Sequence, residues 1–490
     1  MRGPAALTLA IFLTGATVAT RAQAPATEPA YVVRGHEVEI RQHELKERLD
    51  RVHAVAAAQL QRDAPDLLPA LEPPPPIAYG YQILPRIIAD SPPGPPVKPH
   101  VVSFSWPWSE TLISREMTDL ERLEWQLAAA AQKPSTEKHA AYEAIVADYK
   151  KAVETRRKID ADIDYNWLWQ RQIANGRPLF DRLTAGLNAE ANKLERPSSS
   201  GSDSAAPAIE FGPPTFVRFE APAGRVRTLA VPLYTDILDS AMVESFRRAI
   251  ETYWHVNDGQ EEYRVLLTIT AIPPEKLYCG QPEKGKAMAA CAPPVKGERI
   301  NLGTHVARFP PDGAVLTTGA ESLQLTAGRA IVLGPHDVAP RTLAHEFGHV
   351  LGFPDAYLRG YRDLGRDGFQ VLEFVPNYED IMSSPGAGSV LARHFKDLIA
   401  AKETETLMET GLDELYKQGD PSDAATQFRE VLARNPEHYG ATLQLAKALD
   451  RAGKPEEALP IWRKMFGMAE AIGDAETIQT VRARLADAHQ

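Results

Sequence analysis

His345-Glu346-Phe347-Gly348-His349 sets two imidazoles four residues apart, with a carboxylate beside the first. On a helix those two rings share one face, so both can reach one Zn²⁺ at about 2.0–2.1 Å. Glu346 lies where it meets a water at such an ion rather than ligating it. Three residues past His349, Gly352 can take the positive φ that ends a helix. Pro354 then blocks its resumption. Asp355 is thereby returned toward the ion as a third ligand. Three protein ligands leave the fourth zinc position for water, as catalytic zinc sites do. Two neutral imidazoles and one carboxylate leave a formal charge of +1 on that set. The water is then expected to be less acidic than at a three-histidine site.

Downstream, Glu379-Asp380-Ile381-Met382-Ser383-Ser384 puts a methionine in a polar turn, 27 residues after Asp355. Together with HEFGHVLGFPDAY, this resembles the metzincin clan of zinc metallopeptidases, over about residues 215–400. Asp355 at the third-ligand position is similar to the snapalysin-like branch. The resemblance implies His345, His349 and Asp355 as zinc ligands, Glu346 as catalytic base and Met382 as the Met-turn. It implies hydrolysis of peptide bonds by zinc-activated water, with Glu346 as general base. It further implies that a peptide substrate adds to an edge strand before the active-site helix, and Gly313 to Gly319 is the expected edge. Ser384 stands where some metzincins carry a tyrosine ligand, so that device is not expected. No Cys precedes Cys279, which excludes a cysteine-switch prosegment. A gluzincin-type site would draw its third ligand from a later helix, through Glu373 or Glu379, but neither lies in a second helical acidic motif. His336 and His394 read as surface histidines or as outer partners of the ligands.

The elements that must position these groups follow from patterning. Pro340 suits the first turn of the zinc helix, where a missing N–H costs nothing, and Asp337 is read as its cap. Leu343, Ala344, Phe347, Val350 and Leu351 supply its apolar body. Arg225–Leu233, Tyr263–Ala271, Ala314–Thr318 and Arg329–Leu333 read as strands, and Ser240–Trp254 as an amphipathic helix. Strand–helix–strand implies a largely parallel pair. Upstream, Val38–Arg62 reads as a helix, and residues 109–194 as helices joined by short turns. There Leu120, Leu123 and Leu127 form one stripe, and Tyr142, Ile145, Val146, Tyr149 and Val153 another at i, i+3, i+4, i+7 and i+11. Ser135 is read as a cap between them. Tyr165, Trp167 and Trp169 are expected to pack in a helical hairpin rather than to form a ligand platform.

The chain has 490 residues, which suggests roughly three domains at about 150 residues each. With 54 Lys and Arg against 65 Asp and Glu, the net charge of −11 argues against a nucleic-acid footprint. Two Cys exclude a disulfide-rich scaffold and a four-cysteine metal site. Arg2, the apolar run Ala5–Val18 and the small residues after it describe a secretory signal. Cleavage fits after Ala22, Ala24 or Ala26, and an N-terminal membrane anchor is the alternative. Export permits a Cys279–Cys291 bridge; two free or buried thiols fit as well.

The expected organisation is therefore multidomain α+β. It comprises a signal peptide at 1–24, a Pro-rich mixed segment at 25–107, a helical hairpin region at 108–195 and a linker at 196–214. The zinc peptidase domain spans 215–400, and helical repeats follow at 401–490. Those repeats have period 34: Gly419-Asp420-Pro421 matches Gly453-Lys454-Pro455, and Ala424, Ala425 and Phe428 match Ala458, Leu459 and Trp462. Pro436 ends the first unit, and Thr477–Ala486 is a following helix. Period and pattern resemble tetratricopeptide repeats. Such a tail fits a protein-binding groove or a cap on the peptidase domain. The helical front fits an inhibitory prosegment or a permanent accessory domain. The expectation is an exported zinc-dependent endopeptidase acting on a protein or peptide, with a protein partner at the tail. Its rival is an envelope interaction module whose zinc fold is vestigial or structural.

Overall fold

The computed structural model describes residues 28–74, 80–92, 100–195, 213–279 and 292–487. The expected signal, residues 75–79 and 93–99 of the Pro-rich segment, residues 196–212 of the expected linker and Cys291 lie outside the described residues. Cys279 is disulfide-bonded. Among the described residues no helix is long and apolar enough to cross a membrane. The chain is mixed α/β and forms two compact units. The first takes the described residues of Met1–Asp203, Val231–Trp254 and Leu266–Ser389; the second takes those of Ser204–Ala230, His255–Val265 and Val390–Gln490.

In the first unit, helix α1 (Ala30–Asp63) presents Val38, Leu45, Leu49, Val52, Ala56 and Leu60 to its core. Strand β1 (His100–Ser105) runs straight into helix α2 (Trp106–Ala131). Helix α3 (Ser135–Glu195) starts at Ser135 itself and leaves helical geometry at Gly176. The stripes of all three helices close on one apolar core. The Pro-rich segment and the hairpin region are therefore not separate bodies. Helical spacing reveals which face is buried, not which element covers it. The aromatic residues pack as expected, but against β1 and the start of α2. Phe104 lies 6.3 Å from Tyr165 and 6.2 Å from Trp169, ring centre to ring centre, and Trp106 lies 5.1 Å from Trp167.

Strand β2 (Val226–Thr235) begins in the second unit and ends in the first. Helix α4 (Ser240–Tyr253) follows, capped by Asp239, whose carboxylate accepts from the N–H groups of Ala241 and Met242. Strand β3 (Glu262–Ala271) returns in the same direction as β2: Glu262 N–H donates to Arg225 O and Ile272 N–H to Thr235 O. Strands β4 (Ala314–Thr318), β5 (Gln324–Thr326) and β6 (Ala330–Leu333) complete the first unit's part of this sheet. β4 pairs in parallel with the end of β2 on one side and with β6 on the other, and β5 pairs antiparallel with β6. Every residue of β4 is buried. Gly313 to Gly319 is thus an interior strand, and the expected edge is corrected to β5. A two-sided apolar run marks a central strand, and β4 has one. Both of its buried threonines are satisfied: Thr317 donates to Asp236 at 2.7 Å and lies 2.8 Å from His305 Nε2, and Thr318 accepts from Gln82 N–H at 2.7 Å.

Helix α5 (Pro340–Val350) follows this sheet, with Pro340 in its first turn as expected. Its N-cap residue is Ala339, without a side-chain cap. Asp337 instead accepts from Arg86, which also donates to Glu154 of α3 at 2.8 and 2.9 Å. Strands β7 (Leu358–Asp363) and β8 (Gly368–Phe374) form an antiparallel pair, and β1 joins β8 as the third strand. The front of the chain is therefore built into the unit that carries the zinc motif.

In the second unit, the short strand Arg218–Phe219 pairs with Leu229 and Ala230, and His255–Asn257 pairs with Glu262–Arg264. Helix α6 (Ala392–Asp413) stacks Phe395 on Tyr263 at 5.3 Å. It continues through a π turn to Gly419, whose φ is +75°. Helices α7 (Pro421–Arg434), α8 (Tyr439–Arg451), α9 (Pro455–Ile472) and α10 (Ala475–Asp487) complete it. Gly453, 34 residues after Gly419, also has positive φ. Only glycine adopts that geometry cheaply, which is why the repeat keeps it. Ala424, Ala425, Phe428, Ala458 and Trp462 are buried in one core.

Candidate metal centre

The centre begins with the end of α5. Gly352 adopts φ +101° and donates its N–H to His349 O, while Phe353 N–H reaches Gly348 O. The helix stops there as expected, and the chain turns back toward its last turn. His345 Nε2 lies 3.2 Å and His349 Nε2 3.3 Å from the same oxygen of Asp355. The three ligand atoms all lie within 4.8 Å of one another.

The outer nitrogens explain the orientation. His345 Nδ1 lies 2.9 Å from Ile381 O, and His349 Nδ1 lies 2.7 Å from Phe353 O. A carbonyl can only accept, so both Nδ1 atoms carry the proton. In the neutral rings both Nε2 lone pairs then face the Asp355 carboxylate. Three electron pairs converging in this way need a proton or a cation between them. Burial opposes charge on His349, but the Asp355 carboxylate outweighs it and pushes the imidazole up to about 9. Loss of water on the side facing the two rings would raise the pKa of Asp355. The hydrogen bonds from His345 and His349 prevail and hold it well below the usual carboxylate range. A tetrahedral ion with bonds of about 2.05 Å has ligand–ligand edges of about 3.3 Å. Both histidine–carboxylate separations match that edge, and the donor types are those zinc takes.

Glu346 sits between the two histidines in sequence and is half-buried. Burial pushes its carboxyl up, against the opposing pull of His349 and His345. Met382 is buried and packs against Gly348, the residue before His349 on α5. Its turn is held by Asp380, which accepts from Met382 N–H at 2.7 Å and, through its carbonyl, from Ser383 and Ser384. Ala356 N–H donates to Met382 O, so the turn also grips the residue after Asp355.

The other candidates lie elsewhere. Glu373 is the cross-strand partner of Arg359, and Glu379 is exposed. His336 pairs with Asp164 of α3 at 2.7 Å. His394 is buried rather than superficial, and its Nδ1 accepts Leu391 N–H at the start of α6. Three neighbours escaped the sequence reading. Trp254 donates its indole N–H to Ala344 O at 2.9 Å and stacks on Phe353, bracing α5 from behind. Tyr357 lies against His345, ring centres 6.4 Å apart and 21° from parallel. Arg359 lies against Tyr357. The position of Tyr357, two residues after Asp355, was the one available signal; nothing linked Trp254 to the helix.

Residues 412–464 match the family model of the tetratricopeptide repeat. No curated protein and no solved structure matches the chain. Tetratricopeptide repeats are scaffolds for protein–protein interaction, and the match falls on α6 through α9 of the second unit.

Proposed function

We propose that this chain is an exported, zinc-dependent endopeptidase whose repeat tail binds a protein. The observation that carries the reading is the donor set. Two Nε2 lone pairs and one carboxylate converge while both Nδ1 protons are committed to backbone carbonyls. Glu346 stands beside that set with a carboxyl that burial keeps basic.

His345, His349 and Asp355 would hold the ion. When bound, Zn²⁺ supplies a Lewis acid and makes water a stronger acid. The protein's own groups do the rest. The carbonyls of Ile381 and Phe353 hold both imidazoles in the tautomer that leaves Nε2 unprotonated. The Met382 side chain fills the space beneath Gly348. The Glu346 carboxylate accepts a proton from the attacking water and delivers it to the amine nitrogen as the peptide bond breaks. Asp355 is partly exposed, so substrate and water have a way in.

The test is metal content combined with peptide cleavage. The purified chain is expected to hold about one zinc and to cleave peptides, with chelator abolishing cleavage. Glu346→Gln is expected to keep the metal and to lose at least 100-fold in rate. Undiminished cleavage by that variant would overturn the role of Glu346. An absence of both zinc and cleavage in the wild type would leave the interaction module, which the repeat match favours.

A further inference from the structure

Arg359 is the second residue of β7, four residues after Asp355, and faces Glu373 across the strand pair. Its Nε donates to Glu373, and among the described residues its two Nη groups have no hydrogen-bond partner. Its Cζ lies 4.4 Å from the centre of the Tyr357 ring and 5.0 Å from that of Trp169. Tyr357 lies in turn against His345. The guanidinium is therefore one ring away from a metal ligand. It is gripped at Nε and beside two aromatic rings, with its Nη edge unclaimed. Arginine held in this way has lost most of its side-chain freedom before any ligand arrives. That rigidity favours two parallel hydrogen bonds to a carboxylate. One of the rings, Trp169, comes from α3, so the front of the chain helps to build this position.

We infer that Arg359 is a specificity-determining residue whose Nη edge takes a carboxylate of the bound peptide. Extended peptide advances about 3.3 Å per residue. With Arg359 Cζ 4.4 Å from the Tyr357 ring and that ring 6.4 Å from the His345 ring, the carboxylate sits within about three residues of the bond to be broken. It belongs to an acidic side chain or to the peptide's C-terminus. Glu373 neutralises the arginine at Nε, and about a third of the Arg359 side chain remains exposed. The inference rests on the peptide-binding half of the proposed function.

The experiment uses the full chain carrying Glu346→Gln, loaded with zinc, and fluorescent peptides read by anisotropy at low salt. One arm compares peptides with Glu or Gln at each position, both ends blocked. The second compares a free C-terminal carboxylate with its amide. A preference of about tenfold for the charged member of one pair is expected. Adding Arg359→Gln should bring that ratio to near one, and Arg359→Lys should keep part of it. Thermal melts of both variants check folding, and the lysine variant keeps the test valid if glutamine destabilises the strand pair. The arm that shows the preference identifies the source of the carboxylate. No preference in the parent, or a preference that survives Arg359→Gln in a folded chain, would overturn the inference. If the chain with native Glu346 cleaves nothing, yet the Arg359-dependent preference holds, the peptidase reading fails and Arg359 stands as the carboxylate-binding residue of a peptide-binding site.

Discussion

The candidate metal centre and the repeat tail store their information differently. In the tail, each helix packs on its neighbours in sequence, and the same small and aromatic positions recur after 34 residues. Ala424 and Phe428 do in one repeat what Ala458 and Trp462 do in the next. A period is therefore enough to define the structure, and a family model finds it. The metal centre has no period. His345 and His349 are neighbours, but Ile381 and Met382 return from a later turn. Trp254 comes from the end of an earlier helix, and Trp169 from the front of the chain. Local repetition makes the tail easy to read, whereas the centre depends on contacts that local sequence does not encode.

The comparison can be tested from both sides. The largest effect is expected in the tail. Trp462 is buried, and its indole N–H donates to Asp450, which also accepts two hydrogen bonds from Arg484. Trp462→Ala should cost about 3–5 kcal/mol in urea unfolding followed by circular dichroism. Zinc content should stay at the wild-type level. Loss of zinc in that variant would show that the two regions stand or fall together.

Next comes Asp355→Ala, expected to weaken zinc binding on the order of 100-fold, about 3 kcal/mol, in a competitive chelator titration. The helical signal of the tail should not change. Full zinc retention would mean another third ligand. Glu373 would have to leave Arg359 to serve, and Glu379 would have to leave the surface.

The smallest effect is expected for Gly348→Ala. An added methyl would meet the Met382 side chain and then the Trp254 ring. Overpacking of this kind costs about 1–3 kcal/mol, read as a lowered melting temperature with zinc still bound. An unchanged melting temperature would show that the methionine floor yields easily and is less tightly built than its contacts imply.

Much of this was legible because it is local. The His–His spacing, the stop at Gly352 and Pro354, and the return of Asp355 all lie within eleven residues of one helix and its cap. The front helices announced their buried faces through Leu120, Leu123 and Leu127, and through Tyr142 to Val153. Illegible were the partners of those faces. Asp337 looked like a cap because it precedes Pro340, yet Arg86, some 250 residues earlier, claims its carboxylate. Gly313–Gly319 looked like an edge because it precedes the zinc helix, yet it is buried between β2 and β6. An edge and a centre differ by what pairs with them, and pairing is long-range.

From the sequence alone came the histidines, the glutamate and the aspartate of the cluster in their order along one helix and its cap, the period of the tail and the sites where glycine must bend the chain. Each of these depends on residues within a turn or a repeat of one another, where backbone geometry leaves few alternatives. Tertiary structure decided which carbonyls hold the imidazole protons, which ring lies against His345, and how Arg359 came to face Glu373 with its outer edge unclaimed. It also decided that the front of the chain belongs to the unit of the metal centre: β1 pairs with β8, and Arg86 ties Glu154 to Asp337. Hydrogen bonding and ring packing between distant segments are set by where the whole chain closes, and no window of sequence contains that closure.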